Sequence, residues 1–206
     1  SYGYNAELNY KKEWSAHRSL FINEALFYTQ VDDPILFQTV GGGKIAMANA
    51  SGALQSMGSD TYIQLQLGGW ELYAGYTYTD ARRKYLSANS FMPLTPRHRM
   101  AYVVVKELGE KWRIGLEGSY MGSQYRYDNT KTPGYFFAAG MIQYKAGSHI
   151  ILVLNGENLL DYRMSKIESL YNGSITNPMF KPLWAPSDRR VINLSIRWTL
   201  ELHLIM

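Results

Sequence analysis

Few residues in this sequence have the types and spacing that chemistry requires. Gly41-Gly42-Gly43-Lys44 comes nearest to a phosphate cradle. The first glycine of the nucleotide-loop spacing is absent, however, and Ile45 stands where a magnesium-binding hydroxyl is needed, so the segment reads as a flexible loop. His17, His98, His149 and His203 are far apart and none has a second ligand at metal spacing, which makes them turn or strand-end residues. Asp32-Asp33 and Asp60 carry oxygen donors for calcium, but the spaced ligands of a calcium loop are missing and a solvated carboxylate pair is the simpler reading. There is no cysteine, which excludes disulfides, thiolate metal sites and cysteine nucleophiles. No Gly-x-Ser-x-Gly elbow or Ser/His/Asp set is present, and Asn172-Gly173-Ser174 matches a glycosylation sequon by chance. These residues predict no enzyme and no resident metal or cofactor. Binding chemistry remains. Tyr125, Arg126, Tyr127, Tyr171, Asn172, Phe180, Lys181 and Trp184 offer ring faces and cations within two long polar segments. They either contact a ligand or fold those segments together.

The elements that must carry these residues follow from composition and period. With 206 residues the chain suits one large domain, and 46% hydrophobic against 18% charged residues argues against general disorder. The longest apolar runs are short ones such as Tyr102–Val105 and Ile150–Leu154, far below the ~20 residues of a transmembrane helix. That excludes a helical membrane protein but not a barrel, whose hydropathy signal is much weaker. The net charge of +4 is spread without a Lys/Arg block, unlike the clustered footprint of a nucleic-acid binder. Aromatics make up 14%, with 17 tyrosines, which suits strands and a membrane interface.

Period two dominates. Tyr4, Ala6, Leu8 and Tyr10 alternate with Asn5, Glu7, Asn9 and Lys11; Trp70, Leu72, Ala74, Tyr76 and Tyr78 alternate with Glu71, Tyr73, Gly75, Thr77 and Thr79. The pattern predicts strands over about 3–13, 18–31, 53–67, 70–82, 97–107, 111–123, 135–145, 149–158 and 189–199. Short connections alternate with long ones at 32–52, 83–96, 124–134 and 159–188, as in a membrane barrel with tight turns on one side and extended loops on the other. Trp14, Trp70, Trp112 and Trp198 fall at the turn level, while Tyr4, Tyr28, Tyr78, Tyr120, Tyr125, Tyr127 and Tyr135 gather at the other. Glu7, Lys11, Gln64, Gln66, Glu71, Arg113, Glu117, Glu157 and Arg197 are then expected to face the lumen. Strands 97–107 and 135–145 are apolar on both faces, so their inward side either meets protein or breaks the assignment. A soluble β-sandwich is the competing reading of the same period.

Several segments resemble the barrel of TonB-dependent outer-membrane receptors. Gly156-Glu157-Asn158-Leu159-Leu160-Asp161-Tyr162-Arg163 is similar to the penultimate-strand signature v-x-N-L-f-D-x-x-Y, with Leu160 in place of its usual aromatic. Tyr76-Thr77-Tyr78-Thr79-Asp80-Ala81, Pro93-Leu94-Thr95-Pro96-Arg97-His98, Phe27-Tyr28-Thr29-Gln30-Val31-Asp32-Asp33 and Arg189 through Trp198 resemble other recurrent segments of that family, in the same order. The resemblance implies an all-β antiparallel transmembrane barrel in the bacterial outer membrane, with about nine strands of a 22-stranded whole. It assigns residues 1–199 to the C-terminal part of that barrel and leaves 200–206 as an extension or tail. Ser1–Asn5 lacks a basic region and an apolar core, so the chain reads as mature or as cut from something longer. The implied partners are outer-membrane lipid, a plug domain of the same receptor, TonB acting through an N-terminal region, and a small-molecule substrate; no nucleic acid is expected. The implied function is import of a scarce nutrient, such as an iron-siderophore, haem, cobalamin or glycan. A small passive barrel and a soluble β-sandwich binding module are the alternatives.

Overall fold

The computed structural model describes residues 1–88 and 90–200. Its strands are β1 (Tyr2–Ser15), β2 (Arg18–Asp32), β3 (Ile35–Val40), β4 (Lys44–Asn49), β5 (Ala53–Leu67), β6 (Trp70–Arg83), β7 (His98–Leu108), β8 (Trp112–Met121), β9 (Tyr135–Lys145), β10 (Ile150–Glu157), β11 (Tyr171–Ser174), β12 (Asn177–Phe180) and β13 (Val191–Trp198). Nine of them form one antiparallel sheet in the order β1-β2-β5-β6-β7-β8-β9-β10-β13. These are the nine strands that period two predicts. Residues 201–206, most of the expected tail, lie outside the described residues.

Two segments expected to be plain loops instead carry hairpins, β3–β4 and β11–β12. Abundant glycine, asparagine and proline marked the turns and hid the short apolar runs beside them, Ile35-Leu36-Phe37 and Ile45-Ala46-Met47. The Gly-Gly-Gly-Lys segment is the turn of the first hairpin: Val40 pairs with Lys44, and Gly42 and Gly43 have φ of 80° and 72°. Asp33 closes the hairpin's base. Its N–H donates to the Gly52 carbonyl (2.9 Å), and its carboxylate accepts from the Gly52 N–H (3.1 Å).

Register defines two faces of the large sheet. One row runs Tyr10–Ile22–Ile63–Ala74–Tyr102–Gly118–Ala138, and another Trp70–Lys106–Ile114–Ile142–Leu154–Leu194. On the opposite face Glu71, Val105, Gly115, Met141, Asn155 and Asn193 pair in line. All nine polar residues expected in the lumen share this second face. On this face Arg113 donates to Glu71 (3.3 Å), and Asn23 donates to Glu7 (2.5 Å) and Asn9 (2.8 Å). The first face carries Leu8, Leu194 and Ile196, about 70% exposed. Among the described residues no second sheet packs on it, as the inner face of a sandwich would require. Such a face is stable against hydrocarbon. The outer edges of β1 and β13 are unpaired in this sheet, and unpaired backbone costs several kcal/mol per group in lipid, so the sheet is part of a closed wall.

The girdles fall where the sequence places them. Trp14, Trp70, Trp112 and Trp198 mark the turn end, all well exposed. At the loop end Tyr120 packs on Phe136 with centroids 4.8 Å apart, and Tyr78 on His98 at 5.4 Å. Besides Lys12 and Lys106 beside the turn-level tryptophans, a carboxylate interrupts the outward apolar band. Glu24, cross-strand from Leu8 and Thr61, accepts a 2.5 Å hydrogen bond from the Thr61 hydroxyl, which partly compensates the missing water. The doubly apolar strands resolve as well: inward-facing Val103, Val105, Phe137, Ala139 and Met141 line a hollow of about 350 Å³ edged by Glu117 and Glu157.

Strand spacing leaves no room at Gly58. A Cβ there would overlap the Tyr78 carbonyl oxygen and come within 2.7 Å of the Phe27 ring. Gly58→Ala is therefore expected to cost about 1–3 kcal/mol by forcing β5 from β6, read as a lower urea midpoint for the barrel in lipid vesicles.

Candidate ligand-binding surface

The loop end is built on the motif after β10. Asn158 and Asp161 adopt left-handed φ of 47° and 51°, which short side chains with local hydrogen bonds tolerate. The Asn158 amide is buried and fully used. It donates to the carbonyls of Tyr162 (3.0 Å) and Asp188 (2.9 Å) and accepts from the Tyr162 N–H (3.0 Å). One side chain thus ties the start of segment 158–190 to its end. Arg190 adds a 2.8 Å bond to the Leu159 carbonyl. This is the physical content of the N-L-x-D signature.

Above it sits a small dry core of Met164, Trp184 and Ala185, with Leu94, Tyr135, Tyr162 and Leu170 packed around it. Tyr135 and Tyr162 stack at 5.0 Å. Buried Gln124 joins the neighbouring loop to this core: its side chain donates to the Trp184 carbonyl (3.3 Å), while its backbone pairs with Thr132.

Three of the eight candidate residues converge on one carboxylate that the sequence reading did not single out. Glu168 accepts from the Trp184 indole (2.6 Å), from Lys181 (3.2 Å) and from both terminal nitrogens of Arg126 (Nη1 at 3.2 Å). Burial alone pushes this carboxyl up. The hydrogen bonds from Trp184, Lys181 and Arg126, with the guanidinium's charge, outweigh it and hold the group below the ordinary carboxylate value. A signal was available: Glu168 is the only acid between Asp161 and Asp188, in a segment that also holds Arg163, Lys166 and Lys181.

The other candidates separate into two groups. Tyr125 stacks face to face on Phe91, at 4.3 Å with planes 1° apart, and lies apart from the Glu168 hub. Tyr171 and Phe180 pair across the β11–β12 hairpin, with Asn172 beside them opposite Met179. Tyr127 and Phe180 are 69% and 77% exposed, whereas Trp184 is 4% exposed. Arg126, Lys181 and Trp184 therefore hold the loops together, and Tyr127, Asn172 and Phe180 present free surface. Among the described residues no group of three or more His, Cys, Asp or Glu side chains is placed to hold a metal.

A wall that is apolar outside and polar inside, with aromatic girdles and folded loops at one end, defines a segment of an outer-membrane β-barrel. The family described as TonB dependent receptor-like, beta-barrel matches residues 1–159, and the chain belongs to it. Among solved structures, the pyoverdine-bound FpvA of Pseudomonas aeruginosa is similar over 95% of this chain and 27% of its own, with 20% identity and a TM-score of 0.66. The FrpB iron transporter of Neisseria meningitidis is similar over 95% and 31%, with 15% identity and a TM-score of 0.66. The copper transporter OprC is similar over 96% and 31%, with 18% identity and a TM-score of 0.64. The chain spans about a quarter to a third of the length of these solved proteins. At such identities the likeness concerns the fold. The family places the chain in the bacterial outer membrane.

Proposed function

We propose that the chain is the C-terminal part of a receptor that captures a scarce nutrient outside the cell and imports it with energy delivered by TonB. The substrate classes are iron-siderophore, haem, cobalamin or glycan, and the names of the similar structures favour a metal-carrying molecule. The observation that carries this reading is the pairing of a loop end presenting Tyr127, Asn172 and Phe180 with an inward face suited to a protein plug. Val103, Val105 and Met141 supply apolar contact to the plug, while Glu117, Glu157 and the Glu71–Arg113 pair supply polar contact. At the loops Tyr127 and Phe180 supply ring faces to the substrate, and Tyr125 and Tyr171 stand behind them.

Transport of labelled ferric siderophores by the full gene product tests this, in a host lacking its own receptors. Uptake is expected to stop when the proton gradient is collapsed, and Tyr127→Ala/Phe180→Ala is expected to weaken binding about tenfold, as for two modest contacts. Uptake that persists without the gradient would favour the passive barrel instead.

A further inference from the structure

The sheet continues past the loop-end girdle, and its outward side changes character there. Arg82, near the end of β6, pairs with Phe91 in an antiparallel bridge, and Tyr125 pairs with Lys131 in a second bridge. Paired residues project to the same side, so Phe91 follows Arg82 onto the face that carries Trp70, Tyr76 and Tyr78. Tyr125 stacks on Phe91, and Lys131 sits 5.2 Å from the Tyr125 ring. The Arg82 and Arg97 guanidiniums lie 3.7 and 4.7 Å from the Phe91 ring. Asp80 is the one carboxylate among them. It accepts from Arg82 (3.0 Å) and from Arg97 (3.0 Å), so three cations face a single negative charge. Lys131 forms no ion pair among the described residues, and the Arg97 Nε is buried without an acceptor. His98 closes the lower side, its Nδ1 bonded to the Tyr76 hydroxyl at 2.8 Å. Between these groups lies a cavity of about 230 Å³, reaching down to Tyr120 of the girdle.

Height and side together select the occupant. The cluster lies just beyond the Tyr78, Tyr120 and Phe136 ring level, where a bilayer's headgroups begin. The outward parity of Asp80, Arg82, Phe91 and His98 turns the cluster built on them away from the lumen that an imported substrate traverses. Excess cations with free N–H donors match phosphate oxygens, and arginine suits them through its planar fork. We propose that this cluster binds the phosphorylated headgroup of an outer-leaflet lipid, with Arg97 and Lys131 supplying positive charge and the Phe91–Tyr125 stack holding them in place. The proposal rests on the outer-membrane placement and is independent of which substrate is imported.

The test uses the full gene product extracted from outer membranes in mild detergent and stripped of lipid. Titration with bisphosphorylated lipid A in micelles is expected to raise its melting temperature. Enzymatically dephosphorylated lipid A and inorganic phosphate at the same concentration are expected to leave it unchanged. Lys131→Gln is expected to weaken lipid affinity about fivefold, and Arg97→Gln/Lys131→Gln about twenty-fivefold, following the contribution of one surface cation each. The Lys131 ammonium lies against the Tyr125 ring and forms no ion pair among the described residues, so its single variant keeps the fold and carries the test if the double variant misassembles. Equal binding of the dephosphorylated lipid, an equal response to inorganic phosphate, or an unchanged affinity in Lys131→Gln would each overturn the proposal.

Discussion

Replacing Leu194 with arginine is expected to leave most of the protein unassembled in lipid vesicles. Leu194 lies in β13 opposite Leu154, which in turn faces Ile142, on the outward apolar row. It is 67% exposed. It stands four residues along the strand from the girdle residue Trp198, which at the tilt of a barrel strand sets it about 10 Å into the apolar band, near its middle. A guanidinium at that depth costs about 2–4 kcal/mol, a large share of a barrel's net stability. Asn193→Arg provides the internal control. Asn193 points inward and accepts a 3.0 Å hydrogen bond from the Asn155 amide, so an added charge there meets water or protein and is expected to shift stability by only about 0.5 kcal/mol. Refolding yields and urea midpoints of the two variants decide the matter. Equal damage from both would mean that the faces of β13 are wrongly assigned.

Removing the carboxylate of Glu168 is expected to release the loop end while leaving the wall intact. In Glu168→Ala the Trp184 indole, Lys181 and Arg126 lose their common acceptor together, at about 2–4 kcal/mol of local stability given that the carboxylate retains some solvent contact. Glu168→Gln keeps an acceptor for the indole and loses the charge, so its effect is intermediate. Hydrogen exchange across segments 122–134 and 159–190 should rise in the order wild type, Gln, Ala, with the sheet's protection unchanged. The pH dependence follows from the lowered carboxyl. A group held below its unfolded value contributes fully above that unfolded value, and the contribution is lost as pH falls through the folded one. Loop protection is thus expected to be complete at neutral pH and to fail only below the ordinary carboxylate range. Loss of protection at pH 6 would mean that the hub is not the latch. If Glu168→Ala leaves exchange unchanged, the small core of Met164 and Trp184 suffices on its own.

The wall was legible because its physics is local. Hydrocarbon on one side and water or protein on the other impose alternation residue by residue, and the tight turns around Gly68-Gly69 and Gly109 mark the ends. The hairpins β3–β4 and β11–β12 were not read, since runs of four to six residues between glycines carry too little periodicity to stand out from a loop. Glu24 escaped notice for a related reason: flanked on its own face by Ile22 and Leu26, it looks like one irregularity in an apolar row until Thr61 is seen to bond it.

From sequence alone came nine strands, their two faces and the girdle levels, all consequences of a solvent boundary that acts on each residue separately, while the family came from the resemblance of a few motif segments such as Gly156–Arg163. The tertiary structure decided which loop residues work together. Glu168 meets Arg126 across 42 positions, and Phe91 meets Tyr125 across 34, so no local period announces either contact. Such pairings arise only when the register of the sheet brings separate loops over one another. For this reason Arg126, Lys181 and Trp184 belong to the scaffold, while Tyr127, Asn172 and Phe180 are left facing outward.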